Sequence, residues 1–282
     1  MSDQDFVIPF DRLPDNFARS IEEPPAVPAT PRPAATIVLL RDEAHGLEVL
    51  LMKRSRSAGF VPGAYVFPGG RVDGTDADAA VLARLDGLSP TVAAERLAIP
   101  EGDPPAIAYY LAALREAFEE TGILVAERAD GIAPPTAAED AVVDEVRNDL
   151  MADHITFAGA LQRLKARVQG DSIEYIAHWI TPTPEPRRYD TRFFAARVAE
   201  GATPIVDPRE MSDAVWLSPR EALSRCDRGT LPMVFPTIKT IEELARYGNV
   251  DDALDGFGAA TVRTILPTLV ITPTGVGLHI DD

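Results

Sequence analysis

The sequence predicts an α/β protein, on three observations. Apolar or alternating segments of strand length (residues 35–40, 47–53, 173–181 and 188–198) are interleaved with segments whose apolar residues recur at helical spacing. Prolines mark the connections, at Pro24, Pro25, Pro28, Pro31 and Pro33 and again at Pro182, Pro184 and Pro186. A hydrophobic content of 46% over 282 residues supports a sizeable core.

Taken in order, residues 1 to about 20 carry little apolar content (Phe6, Val7, Ile8, Phe10) and read as an arm. The proline run behind it is a stiff extended connector that excludes helix. Strands follow at 35–40 and 47–53, joined through the turn-like 42–46. Segments 79–85 and 89–97 read as helices, the second opened by Ser89 as N-cap and Pro90 in its first turn. Asp103-Pro104 repeats that signal and is expected to open a long helix ending at Thr121; eighteen residues at 1.5 Å each give about 27 Å. Residues 123–126 resume as strand. Segments 137–151, with Val142, Val143, Val146 and Leu150 on one face, and 156–166 read as helices. After the strands at 173–181 and 188–198, Ser218-Pro219 caps another helix, 231–246 and 249–257 add two more, and 269–271 is a final strand segment.

Composition narrows the function. A net charge of −17 argues against a nucleic-acid surface, which needs a basic face. No run of eighteen apolar residues is present, so no membrane span is expected. The lone Cys226 excludes an internal disulfide and fits a reducing compartment. Residues 1–5 are unlike a signal peptide and residues 279–282 carry no Ser-Lys-Leu address, so a cytoplasmic location is expected. The histidines (His45, His154, His178, His279) show no metal-ligand spacing.

The chemistry concentrates in residues 115–122, Arg-Glu-Ala-Phe-Glu-Glu-Thr-Gly. On a helix Arg115, Glu119, Glu116 and Glu120 fall at about 0°, 40°, 100° and 140° and crowd one arc. Leu111, Leu114, Ala117, Phe118 and Thr121 take the opposite side. Glu116 and Glu120, four apart, repel by a few tenths of a kcal/mol, yet clustered carboxylates suit a hard divalent cation, which prefers oxygen ligands. A solvated acidic face explains the same pattern, and the segment upstream separates the two readings.

Residues 67–76 read Phe-Pro-Gly-Gly-Arg-Val-Asp-Gly-Thr-Asp. With residues 115–123 they resemble the signature of the Nudix hydrolases: Gly, five residues, Glu, seven residues, then Arg-Glu-apolar-x-Glu-Glu-x-Gly-apolar. Gly70 and Asp76 match the first part, with Asp in place of Glu. Arg115, Glu116, Glu119, Glu120, Gly122 and Ile123 match the second, and Ala117 fills the apolar slot. Residues 77–114 number 38 where the family usually has seven, so an insertion of about 31 residues splits the box. Split boxes occur in the branch of peroxisomal-type coenzyme A diphosphatases, which this chain resembles. A second pattern of coenzyme A-cleaving members is Leu-Leu-Thr-x-Arg-Ser, three residues, Arg, three residues, Gly, three residues, Phe-Pro-Gly-Gly. Leu50, Leu51, Arg54, Ser55, Gly63, Phe67, Pro68, Gly69 and Gly70 match it; Met52 replaces the Thr and Gly59 the second Arg, with Arg56 a nearby substitute.

The resemblance implies an α/β/α sandwich around a mixed sheet, with a helical insertion at about 77–107. The expected organisation is an arm and connector at 1–33, a Nudix domain at 34–228, and a C-terminal helical extension at 229–282 packed on the same domain. It implies Mg²⁺ or Mn²⁺ held by the Gly69 carbonyl, Glu116, Glu119, Glu120 and Glu210. Glu210 stands six residues before Trp216, with Asp207 and Asp213 as competitors. Glu116 is then general base or ligand, and Arg115 joins the catalytic set by orienting a glutamate. Arg54, Ser55, Arg56, Gly70, Arg188 and Arg192 are the substrate-binding candidates, the last two from the one basic knot in an acidic chain; strand-edge charges are the plain alternative. The implied reaction is hydrolysis of a phosphoric anhydride in a small nucleoside diphosphate derivative, foremost coenzyme A or acyl-coenzyme A. ADP-ribose, NADH or another nucleoside diphosphate is the alternative substrate, and a non-catalytic nucleotide sensor the alternative class. Inserted helices beside a catalytic helix either cap its pocket or make a homodimer contact, and both stay open.

Overall fold

The computed structural model describes residues 6–10, 21–23, 26–55 and 63–280. Its centre is an eight-stranded sheet in the order β11 (Met211–Leu217), β3 (Gly46–Arg54), β2 (Arg32–Glu43), β10 (Tyr189–Arg197), β9 (Ile173–Ile180) and β12 (Thr264–Ile265). Two short strands complete it, β4 (Tyr65–Val66) on β3 and β5 (Gly69–Arg71) on β2. β2 runs parallel to β10 but antiparallel to β3 and β5, so the sheet is mixed as expected.

Alternation along β2 builds both cores. Ala35, Ile37 and Leu39 face one, and Val38 and Leu40 the other, which is why the strand reads as an unbroken apolar run. On the first face lie α1 (Ala79–Leu82), α2 (Pro90–Leu97), α3 (Ala106–Thr121), α4 (Ala141–Met151) and α5 (Phe157–Arg163). On the second lie α6 (Pro219–Asp227), α7 (Phe235–Leu244) and α8 (Val250–Ala259), whose Ala222, Ile241, Leu244, Val250 and Ala253 pack with Val38 and Leu51. The result is the expected α/β/α sandwich. Among the described residues no helix is long and apolar enough to cross a membrane.

Several elements depart from expectation, each for a physical reason. Helix α3 starts at Ala106, with Pro105 extended at its N-cap; Pro104 precedes a proline and is thereby driven out of the helical region. Residues 123–126 are not a strand. Gly122 ends α3 in the left-handed conformation (φ 70°), and Ile123, Leu124 and Ala126 are apolar because they are buried, not because they join a ladder. α1 stops at Leu82 and α5 at Arg163, because Leu85 and Ala166 begin β6 (Leu85–Asp86) and β8 (Ala166–Gln169), which with β7 (Glu127–Arg128) form a small separate sheet. Val142 is exposed, and Arg147 takes its place beside Val143, Val146 and Leu150 on the buried face of α4. The C-terminal segment is helical only to Ala259. Beyond β12 it forms a hairpin of β13 (Thr268–Thr272) and β14 (Gly275–His279), and β14 pairs with β1 (Phe6–Pro9), so part of the arm is a strand.

Candidate active site

Antiparallel pairing of β5 on β2 sets Gly70 opposite Ala35 and Gly69 opposite Thr36, directly beneath α3. The Gly69 N–H donates to Glu120 Oε2 at 3.0 Å, closing the two halves of the split box on each other. Both glycines are required for approach. A Cβ on Gly69 would stand 2.5 Å from the Ala35 carbonyl oxygen, and one on Gly70 would overlap the Glu116 carboxylate.

Arg115 ties the remaining carboxylates together. Its Nε donates to Asp76 Oδ1 (2.8 Å), Nη1 to Glu116 Oε1 (2.9 Å) and Glu119 Oε2 (3.1 Å), and Nη2 to Asp76 Oδ2 (3.1 Å) and the Arg71 carbonyl (3.0 Å). All five guanidinium N–H groups are thus engaged inside the protein, so Arg115 orients carboxylates and has no donor left for a substrate. Burial opposes its charge, but Asp76, Glu116 and Glu119 outweigh that and hold its pKa above the ordinary value. Asp76 is buried and also accepts the Asp73 N–H at 2.7 Å, completing a capping box where the insertion leaves the sheet.

Burial dominates the electrostatics of the three glutamates. It raises Glu116, raises Glu119 to about 7 and raises Glu120 well above the usual carboxylate range. Glu210 adds to the shift of Glu116 and Glu120, and Arg54 works against that of Glu120. The structure therefore brings both distant residues into the field of the site. Arg54 ends β3 with its Nε buried and, among the described residues, without a hydrogen-bond partner. Ser55 is buried and fastens the loop that carries Glu210: its N–H donates to the Glu210 carbonyl at 2.8 Å and its Oγ to the Arg209 carbonyl at 3.4 Å.

Other sequence candidates are placed elsewhere. Arg56 lies outside the described residues, as does Gly59. Arg192 shares a row across the sheet with Ala35 and Gly70, about two strand spacings or 10 Å from the latter. Its guanidinium is buried instead among Tyr175 Oη (3.0 Å), His178 Nδ1 (2.9 Å) and the Leu97 carbonyl (3.4 Å), pinning α2 to the sheet. Arg188 donates to the carbonyls of Thr181 and Ala29, both at 2.9 Å. Neither arginine is turned to the carboxylates. Sequence reasoning also missed Arg147, whose Nε donates to the Phe118 (3.2 Å) and Glu119 (2.8 Å) carbonyls and so caps the end of α3. The signal was an arginine inside an otherwise apolar face.

In kind, these residues fit a hard divalent cation: buried, crowded carboxylates with oxygens left over and a field that disfavours their own charge. Among the described residues no three metal-ligating side chains converge on one point, since Glu116 and Glu119 lean to Arg115 while Glu120 is held at Gly69.

Comparison with known proteins bears on the same elements. Residues 23–244 match the family model described as the NUDT19 Nudix domain, so the chain belongs to the Nudix family. It is similar to the acyl-coenzyme A diphosphatase NUDT19 of Gallus gallus, 29% identical over 238 residues that cover 73% of this chain and 63% of that one. The human protein of the same name is 25% identical over 269 residues, 83% of this chain and 70% of that one. The chain thus spans less than two thirds of the length of the first curated relatives it matches. Among solved structures, a NUDIX hydrolase from Alicyclobacillus acidocaldarius superposes with a TM-score of 0.67 at 30% identity, covering 80% of this chain and 96% of that one.

Proposed function

We propose that the chain is a metal-dependent hydrolase that cleaves the phosphoric anhydride of coenzyme A or acyl-coenzyme A, releasing 3′,5′-ADP and (acyl-)4′-phosphopantetheine. The observation that carries this is the closed box: Gly69 at 3.0 Å from Glu120, and Arg115 binding Asp76, Glu116 and Glu119. The choice of substrate is supported by the similarity to acyl-coenzyme A diphosphatases. A reducing, cytoplasmic setting suits the single thiol of Cys226.

Mg²⁺ or Mn²⁺ would be held by Glu116, Glu119 and Glu120, with the Glu210 carboxylate and the Gly69 carbonyl as further oxygen donors. When bound, it supplies an activated water and screens the anhydride oxygens. The chain's own groups prepare that chemistry. Arg115 keeps Glu116 and Glu119 side by side against their repulsion. Glu119, raised to about 7 by burial while no cation is bound, must give up its proton to serve as a ligand. Gly70 leaves the space that Glu116 occupies, and the Nε of Arg54, which has no partner among the described residues, would offer an N–H to a phosphate oxygen.

The test is turnover of coenzyme A, acyl-coenzyme A, ADP-ribose and NADH side by side with Mg²⁺ or Mn²⁺. Release of phosphopantetheine and 3′,5′-ADP is expected. Hydrolysis confined to ADP-ribose or NADH would overturn the substrate, and no hydrolysis of any diphosphate would overturn the reaction.

A further inference from the structure

The acidic balance of the chain is reversed at one place. Where β2 and β10 begin side by side, with Tyr189 opposite Arg32, the connector and the turn before β10 enclose a cavity of about 520 Å³. Arg32, Arg187, Arg188, Pro33 and Tyr189 are in its lining. Among the described residues none of the three arginines forms an ion pair with a carboxylate. Arg188 is only 8% exposed. Its two bonds, to the Thr181 and Ala29 carbonyls, fix it against the connector but leave its charge uncompensated. Burial alone pushes the neighbouring Glu185 carboxyl up, with no arginine drawing it back. A buried cation without a counter-ion is costly, and three unpaired arginines in a chain of net charge −17 make a place built for an anion.

Its position relates it to the carboxylates. Gly70 lies opposite Ala35, and Arg32 is three residues back along β2, about 10 Å away. Arg71, exposed and opposite Ala34, lies on the same sheet face as Arg32, the face turned away from α3. That spacing of about 10 Å along β2 suits an extended ligand whose diphosphate would sit at Gly69 and Gly70 and whose next charged group would reach round the strand end to the cavity.

We infer that this cavity is a subsite for a phosphomonoester carried on the nucleoside half of the substrate, an inference that rests on the diphosphatase reading above. Arg188 supplies the charge from the wall, and Arg32 and Arg187, exposed at the rim, supply the forked contacts that a phosphate dianion accepts. Nucleoside diphosphates without that extra phosphate leave the subsite unused.

The experiment compares wild type, Arg187→Ala and the Arg32→Ala/Arg187→Ala double variant. Neither side chain makes a hydrogen bond or ion pair among the described residues, so the variants are expected to fold normally. Two readouts are taken: kcat and KM on coenzyme A and 3′-dephospho-coenzyme A, and calorimetric affinity for adenosine 3′,5′-bisphosphate and adenosine 5′-monophosphate. Each arginine removed should raise KM for coenzyme A about 10-fold, the scale of one lost charged hydrogen bond, with kcat and the dephospho substrate unchanged. The bisphosphate should bind wild type more tightly than the monophosphate, and the variants should lose that preference. Equal losses on both substrates, or a wild type indifferent to the 3′-phosphate, would overturn the subsite. A wild type that hydrolyses no diphosphate yet prefers the bisphosphate in an arginine-dependent way would sink the reaction and leave the subsite standing.

Discussion

Two charged regions lie along the same strand, and they are imbalanced in opposite senses. At the inner half of β2, three carboxylates (Asp76, Glu116, Glu119) surround one arginine whose donors are all used, and a fourth, Glu120, stands beside them at the Gly69 N–H. At its outer end, three arginines share a cavity with no carboxylate. In the first, a residual negative charge is kept out of water, which costs free energy unless a cation answers it. In the second, the residual charge is positive and an anion answers it. A diphosphate bearing a divalent cation at one point and a further phosphate at another is complementary to both. On this proposal an acidic chain would hold a polyanion by local sign reversal and not by overall charge.

The contrast is broken most directly at Glu120. Glu120→Gln keeps an oxygen for the Gly69 N–H but removes the charge, and turnover of every diphosphate is expected to fall by about 10²-fold or more. Thermal unfolding should show unchanged or increased stability, because burial already disfavours the ionised form of this residue. Wild-type rates in this variant would remove the carboxylates from the chemistry. Asp76→Ala acts on stability instead. It leaves Arg115 with two buried donors unanswered on an ion pair whose side chains are 13% and 1% exposed, so a loss of about 3 kcal/mol is expected by denaturant titration. A loss under about 1 kcal/mol would mean that the inserted segment, and not this bridge, holds the box closed.

How much of this was legible in the sequence follows from the range of the interactions. The alternation of β2, the capping of α2 by Ser89 and the acidic arc of α3 are local, and they were read from spacing alone. The Gly69–Glu120 approach is non-local, and only the resemblance of the two half-boxes announced it. Residues 123–126 were misread because a buried connector and a strand share apolar composition. The pairing of β1 with β14 joins the ends of the chain, and no local pattern specifies such a partner. Arg188 and Arg192 stand out in the sequence as substrate-binding candidates, but an arginine side chain does not disclose whether its acceptors are ligand oxygens or groups of the protein itself. Both turned out to be bound to the protein, and Arg188 alone keeps a cavity beside it.

The two regions should also separate by ligand and by pH in thermal unfolding. Magnesium at ten times its Kd adds about 1.4 kcal/mol, or roughly 2–3 °C at this chain length; adenosine 3′,5′-bisphosphate at the same saturation adds as much. Glu120→Gln should abolish the first increment and spare any part of the second measured without metal, while the Arg32→Ala/Arg187→Ala variant should do the reverse. The pH dependence differs in sign. Burial raises Glu116, Glu119 (to about 7) and Glu120 above their unfolded values, so the folded protein holds extra protons between about pH 4 and 7. Their contribution to stability is full below that window and is lost as pH rises through it. Magnesium must displace those protons, so its increment should be larger at pH 8 than at pH 5.5. Arginines do not titrate in this range, and a phosphomonoester gains charge through it only from its own second ionisation near pH 6. Phosphate-dependent stabilisation should therefore persist at pH 5.5, where most of the magnesium effect is gone. Parallel pH profiles for the two ligands would mean that one site binds both, and the division of charge along β2 would no longer explain how an acidic protein holds its substrate.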